Sequence, residues 1–142
     1  MARLFLIRHG QPEAAWGGAN SDPGLSTNGR AQAEAVAYPL VALGRFPVVC
    51  SPMRRCRETA APYADLTGAS PVTESRVSEI VAPSGAEDRA RWLQERFPWR
   101  SAEPTLTWAS LESPLHAWRD ALLAYAQSIT IDTAVFTHFI AI

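Results

Sequence analysis

At 142 residues the chain has the size of one domain, and with 47% hydrophobic residues it can bury a real core. Thirteen Lys and Arg stand against fourteen Asp and Glu, a net charge of −1, so no global field draws nucleic acid or an anionic membrane. No apolar run approaches the ~20 residues of a membrane span.

Two cysteines, Cys50 and Cys56, lie too close in sequence for a disulfide framework and read as reduced thiols of a cytoplasmic protein. Met1–Ile7 is too short for a signal peptide and lacks its layout. Three widely spaced histidines give no metal signature.

In chain order, Leu4–Ile7 is a short apolar run that predicts a buried strand. It stops at Arg8-His9-Gly10, which delivers a cation, an imidazole and a backbone free to turn. Those are the ingredients of a phosphate site with a histidine nucleophile. A polar turn after a strand explains the tripeptide equally well at this point. Residues 11–24 hold Trp16-Gly17-Gly18 and Asp22-Pro23-Gly24 and predict a loop. Ser26 or Thr27 can cap a helix over Asn28–Leu43, with Pro39 as a kink and Gly44 as its end. Phe46–Cys50 predicts a second strand leading into Ser51-Pro52 and a helix over Met53–Leu66, with a second kink at Pro62. Ser70–Glu74 suits a short strand and residues 80–85 a loop. Glu87–Arg96 predicts a helix with Trp92, Leu93 and Phe97 on its apolar side, stopped by Pro98. Ser113-Pro114 opens a last helix to Ser128, with Leu115, Trp118, Leu122 and Tyr125 on one face. Ala134–Thr137 predicts a strand that runs into His138.

Strands alternating with helices predict an α/β fold, a three-layer sandwich with a mainly parallel central sheet and helices on both faces. In such sheets ligands bind outside the carboxyl ends of the strands. Three strands therefore aim Arg8, His9, His138 and the Arg54/Arg55/Arg57 group at one edge. Phe139-Ile140-Ala141-Ile142 reads as the end of a central strand that lacks cover. The fold is therefore expected to be truncated at its C-terminus.

Five segments, in this order, resemble the histidine phosphatase superfamily, the phosphoglycerate-mutase-like proteins. They are Leu6-Ile7-Arg8-His9-Gly10-Gln11, the run from Leu25 to Ala33, Ser51-Pro52-Met53-Arg54-Arg55-Cys56-Arg57-Glu58-Thr59-Ala60, Val77-Ser78-Glu79-Ile80, and Thr137-His138. The resemblance implies that His9 is the nucleophile that becomes phosphohistidine. It implies that Arg8, Arg55 and His138 bind the transferring phosphoryl group, and that Glu79 is the general acid. Arg54 and Arg57 are then solvated or paired neighbours. No cofactor and no metal is implied, because arginine and imidazolium take over that work. The expected partner is a small phosphorylated substrate, with no nucleic acid and no membrane, and the oligomeric state stays open.

The chain departs from the family pattern at Phe139, where Gly is common, at Ala15, where the mutase branch carries Asn, and in stopping four residues past His138. Three functions compete: a phosphomonoester hydrolase, a phosphoglycerate-mutase-type phosphotransferase, and a non-catalytic phosphate-binding module. The absence of Lys and Arg from residues 11–24 weighs against the mutase. Glu74, Glu87 and Asp88 are alternatives to Glu79 as the acid. Ser26 or Asn20 can touch substrate, although Ser26 is first a helix cap. His116 reads as a surface or capping residue. Trp92, Trp99, Trp108 and Trp118 read as core or contact surface before they read as a substrate pocket.

Overall fold

A computed structural model of the chain describes residues 1–14, 21–82, 88–96 and 108–142. The first apolar run forms β1 (Leu4–Arg8), and the strand ahead of His138 forms β4 (Thr133–Thr137). Between them come β2 (Val48–Cys50) and β3 (Val72–Thr73). The four make one parallel sheet in the order β1-β4-β2-β3. All five residues of the central β4 are buried.

The faces of the sheet follow the two-residue period of a strand. Ile7, Val48, Cys50, Ala134 and Phe136 point to one face. There they meet Ala37 and Leu40 of α1 (Thr27–Leu43) and Ala60 and Tyr63 of α2 (Arg54–Thr67). Val135 points the other way, with Leu4 and Val49, onto Leu122 and Tyr125 of the C-terminal helix (Ser113–Ser128). Helices thus cover both faces of a parallel sheet, the expected α/β architecture. A short helix, α3 (Arg89–Arg96), joins that C-terminal helix, α4, in a satellite cluster of Ile80, Trp92, Leu111 and Leu115.

Local chemistry sets the helix ends. The Ser26 hydroxyl accepts from the Gly29 N–H at 3.0 Å and starts α1. Gly44, at φ +152°, ends it, with its N–H turned to the carbonyls of Leu40 and Val41. Both α1 and α2 continue through their internal prolines, Pro39 and Pro62. Asp88 accepts the Arg91 N–H at the start of α3. The Tyr63 hydroxyl donates to Gly44 O at 3.0 Å and accepts from Phe46 N–H at 2.8 Å, tying α2 to the α1–β2 connection.

Two expectations need correction. The strand expected over Ser70–Glu74 is confined to Val72–Thr73. The strand expected to run on through Phe139–Ile142 ends instead at Thr137, and the chain turns. The ladder explains why. The register with β1 closes at Arg8↔Thr137 and that with β2 at Cys50↔Phe136, so a longer β4 would have no partner. Ile140 packs on the satellite cluster, so it finds cover within this sequence. Trp92 is buried there and Trp118 packs beside it, as core rather than pocket, while Trp108 is partly exposed. The expectations placed on Ala15–Asn20, on residues 83–87 and on Phe97, Pro98 and Trp99 lie outside the described residues. Among the described residues no helix is long and apolar enough to cross a membrane.

Candidate active site

The register that pairs Arg8 with Thr137 sends the chain out of β1 and β4 side by side. The His9 N–H donates to Thr137 O at 3.0 Å, and the His9 and His138 rings sit edge to face with centroids 5.2 Å apart. His9 Nδ1–H donates to Gly10 O at 2.7 Å. That bond fixes the tautomer and puts the ring's lone pair on Nε2.

Arg55 stands in the first turn of α2, on the helix face that also buries Cys56, Thr59, Ala60 and Tyr63. It is only 4% exposed. Its Nε–H donates to His9 Nε2 at 3.2 Å, and its Nη2 lies 3.3 Å from His138 Nδ1. One guanidinium bridges both imidazoles. His138 is fully buried, with Nε2 at 2.8 Å from Ser51 Oγ and 3.4 Å from Cys56 Sγ. Glu79 Oε2 lies 3.9 Å from His138 Nδ1, on the side that faces Arg55.

The turn after His9 is pinned from two sides. The Thr59 hydroxyl accepts the Gly10 N–H at 2.9 Å and donates to Arg55 O at 2.7 Å. From α1, Gly29 packs backbone to backbone on Gly10 and Gln11: a Cβ on Gly29 would lie 2.1 Å from Gln11 O, and one on Gly10 would lie 2.5 Å from Gly29 O. Only glycine permits that approach. A cavity of about 430 Å³ opens beside this turn, lined by Ile7, Arg8, His9, Gln11, Gln32 and Val36 among others. His9 borders it, whereas Arg55, Glu79 and His138 do not line it. We take the side-chain cluster, not this cavity, as the centre of the site, because the charge and the imidazole nitrogens converge there.

A model of the histidine phosphatase superfamily (branch 1) matches residues 4–138. The chain belongs to that superfamily. A probable phosphatase of Schizosaccharomyces pombe is 41% identical over 73 residues, which span 49% of this chain and 35% of that protein. The probable phosphoglycerate mutase GpmB of Erwinia tasmaniensis is 35% identical over 85 residues, 56% of this chain and 39% of that protein. The matched stretches therefore span little more than a third of these curated relatives. Mycobacterial glucosyl-3-phosphoglycerate phosphatase, solved in complex with VO3, superposes with a TM-score of 0.63 at 25% identity, covering 97% of this chain and 76% of that one.

The electrostatics of this superfamily member's site follow from burial. Burial, reinforced by the charges of Arg55 and Arg8 and opposed by the Gly10 bond, lowers the His9 pKa to about 4. Burial, then Arg55, then His9 lower that of His138 to about 3. Both rings are therefore neutral at pH 7. Burial raises the Glu79 carboxyl above the usual range, against the Ile80 N–H, Arg55 and Arg8, which pull it down. Two neutral imidazoles and a carboxyl biased toward its protonated form surround one buried cation.

The remaining expected residues stand farther out. Arg8 is exposed, its guanidinium 5.0 Å over the Phe139 ring. Arg54 pairs with Glu58 at 2.6 Å, and its N–H is capped by Asp22 Oδ1 at 2.7 Å, so a carboxylate already serves the start of α2. Arg57 is exposed. Ser26 is the cap of α1, and its hydroxyl also donates to Gln11 Oε1 at 3.3 Å. The His116 imidazole bonds the Trp108 carbonyl, a local tie within the α4 entry. Sequence reasoning passed over Ser51, Cys56, Thr59 and Glu58. Glu58 accepts the Leu25 N–H at 2.6 Å as well as Arg54, and these partners outweigh its burial and hold its carboxyl low. The available signal was their sequence position, within four residues of Arg55. Among the described residues no group of three His, Cys, Asp or Glu side chains converges as a metal site.

Proposed function

We propose that the chain is a phosphomonoester hydrolase that works through a phosphohistidine on His9. The observation that carries this reading is Arg55. A buried guanidinium in contact with two imidazole nitrogens, and with no carboxylate within ion-pair distance among the described residues, is a site built for an anion. Phosphoryl oxygens match its fork.

In this reading Arg55, Arg8 and His138 hold the three phosphoryl oxygens; Arg55 Nε–H turns from His9 Nε2 to a phosphoryl oxygen, and the freed Nε2 attacks phosphorus in line with the ester oxygen. The P–O bond breaks as the P–N bond forms, and Glu79 gives its proton to the leaving alkoxide. Water then attacks phosphohistidine, Glu79 takes a proton from it, and inorganic phosphate leaves. A positioned acid of this kind is worth ~10²–10⁴-fold. Ser26 serves the fold of the loop rather than the substrate. Cys50 and Cys56, both buried free thiols, support a reducing, cytoplasmic setting.

A second reading, phosphoryl transfer between two substrate hydroxyls, has the names of the bacterial relatives in its favour. Absence of Lys and Arg from residues 11–24 favours the hydrolase, because a diphosphorylated intermediate needs further cations. The test is turnover of p-nitrophenyl phosphate with quench trapping of an acid-labile phosphoenzyme. The hydrolase reading expects both, and expects H9A to lose both. Turnover retained in H9A would overturn it, and transfer between hydroxyls without phosphate release would favour the mutase.

A further inference from the structure

We propose that Ser51 is a positioning residue that fixes His138 as its Nε2–H tautomer and so keeps Nδ1 as the atom that meets the phosphoryl group. The inference rests on the phosphoryl-transfer reading above for its functional part and on hydrogen-bond accounting for its structural part.

Arginine has donors and no acceptor. With Arg55 Nη2 at 3.3 Å, His138 Nδ1 supplies a lone pair in the free protein, and the partner of Nε2 decides whether the ring stays that way. A neutral imidazole carries one N–H, which is then on Nε2, and Ser51 Oγ at 2.8 Å accepts it. Ser51 is suited to the task because it cannot drift. It is fully buried, and its own N–H donates to Phe136 O at 3.0 Å, locking it to β4 two residues before His138. Its Oγ also accepts the Met53 N–H at 3.3 Å. Both lone pairs of the hydroxyl oxygen are thus engaged.

The groups that face His138 are Arg55, Glu79 and His9 on the Nδ1 side and Ser51 and Cys56 on the Nε2 side. When a phosphomonoester monoanion enters, Arg55 turns its Nη2 to a phosphoryl oxygen. The phosphate hydroxyl proton passes to Nδ1, leaving a dianion beside an imidazolium. That imidazolium donates from Nδ1 to the phosphoryl oxygen and from Nε2 to Ser51. The serine hydroxyl thus holds the same N–H in both states, so His138 gains its donor without rearranging.

The experiment is ¹⁵N NMR of histidine-labelled protein, which reads which ring nitrogen carries the proton, with and without inorganic phosphate. In the free protein His138 is expected as Nε2–H, and with phosphate as the doubly protonated ring. S51A is expected to shift His138 toward Nδ1–H or a mixture. It should also lower kcat by roughly 10- to 100-fold, the loss expected for one hydrogen bond to a charged group, and S51T should restore the tautomer. A free protein with His138 as Nδ1–H overturns the proposal, whether or not any variant folds. A folded S51A with unchanged tautomer and unchanged pH profile overturns it too. Absence of phosphatase turnover with the expected tautomers would count against the hydrolase reading and leave the Ser51 assignment supported.

Discussion

Gly29→Ala tests whether the turn after His9 depends on backbone contact with α1. The added Cβ would stand 2.1 Å from Gln11 O, against the 3.0 Å floor that real Cβ atoms respect, so the turn must retreat by about 1 Å. Helix propensity opposes the loss: Ala is better than Gly in a helix by about 1 kcal/mol. Overpacking against backbone costs ~1–3 kcal/mol. The Ser26 N–H to Gln11 O bond, 2.9 Å long, weakens as the turn moves, by about 1 kcal/mol. The balance is a destabilisation of about 2 kcal/mol, a fall in Tm of roughly 4–10 °C for a domain of this size. Activity should fall further than stability. The displaced segment includes Gly10 O, which sets the His9 tautomer, and a misplacement of ~1 Å in a reacting group can cost ~10²-fold. Calorimetry and p-nitrophenyl phosphate turnover at 25 °C measure the two effects separately. Gly68→Ala is the control, because that glycine is left-handed at φ +72° with nothing near its Cβ position. It should cost about 1–2 kcal/mol of stability and no turnover. A Gly29→Ala protein that melts and turns over like the parent would refute the contact argument.

Glu79→Gln should slow alkyl phosphates by ~10²-fold or more and aryl phosphates far less, because an activated phenolate leaves without a proton; equal losses for both would move the acid elsewhere. Stability should fall as pH falls from 7 to 5. The His138 pKa is about 3 in the folded protein against the ordinary ~6.5, so the unfolded chain binds more protons in that window. At pH 5 this amounts to about 2 kcal/mol from His138, and the raised Glu79 carboxyl works in the opposite sense above the ordinary carboxyl range. Urea titrations at the two pH values should show a shallower acid slope in His138→Asn, and an unchanged slope would speak against a neutral buried ring. Tyr63→Phe leaves the Phe46 N–H without its acceptor and should cost ~1–3 kcal/mol with turnover intact; a matched loss of turnover would mean that the α1–β2 connection reaches the site.

Periodicity and punctuation made much of the fold legible. The Ser26 cap, the Gly44 stop, the Ser113-Pro114 helix start and the apolar runs of β1 and β4 are local signals, and each sits at the element that it marks. Register is not local. Nothing in Leu4–Arg8 states that it pairs with Thr133–Thr137 so that His9 and His138 emerge 5.2 Å apart, because pairing is decided by which strands share a core. The end of β4 misled for the same reason. Phe139, Ile140 and Ile142 have the composition of a strand, but a strand ends where its neighbours end. Ser51 and Thr59 escaped attention because a small hydroxyl residue in a Ser-Pro turn or inside a helix has many ordinary explanations. Their roles appear only when the buried donors and acceptors around Arg55 are counted.

That count also explains why the start of α2 is composed as it is. The helix turns positions 55, 56, 59, 60, 63 and 64 to the core, and two of the six, Arg55 and Thr59, are polar or charged. A core-facing arginine so close to a strand end is unfavourable for folding unless an anion compensates it. Aliphatic side chains there would pack more favourably. In this chain the guanidinium instead meets two rings that burial keeps neutral and so cannot repel it as imidazolium would. Thr59 donates to the Arg55 carbonyl and accepts the Gly10 N–H, so the cation and the turn after His9 are held as one unit. On the proposed reading, the unfavourable buried charge and the anion site are the same feature of the fold. On that reading an incoming phosphoryl group supplies the counter-charge that the fold withholds, and in drawing the guanidinium to itself it frees the His9 nitrogen that is to react.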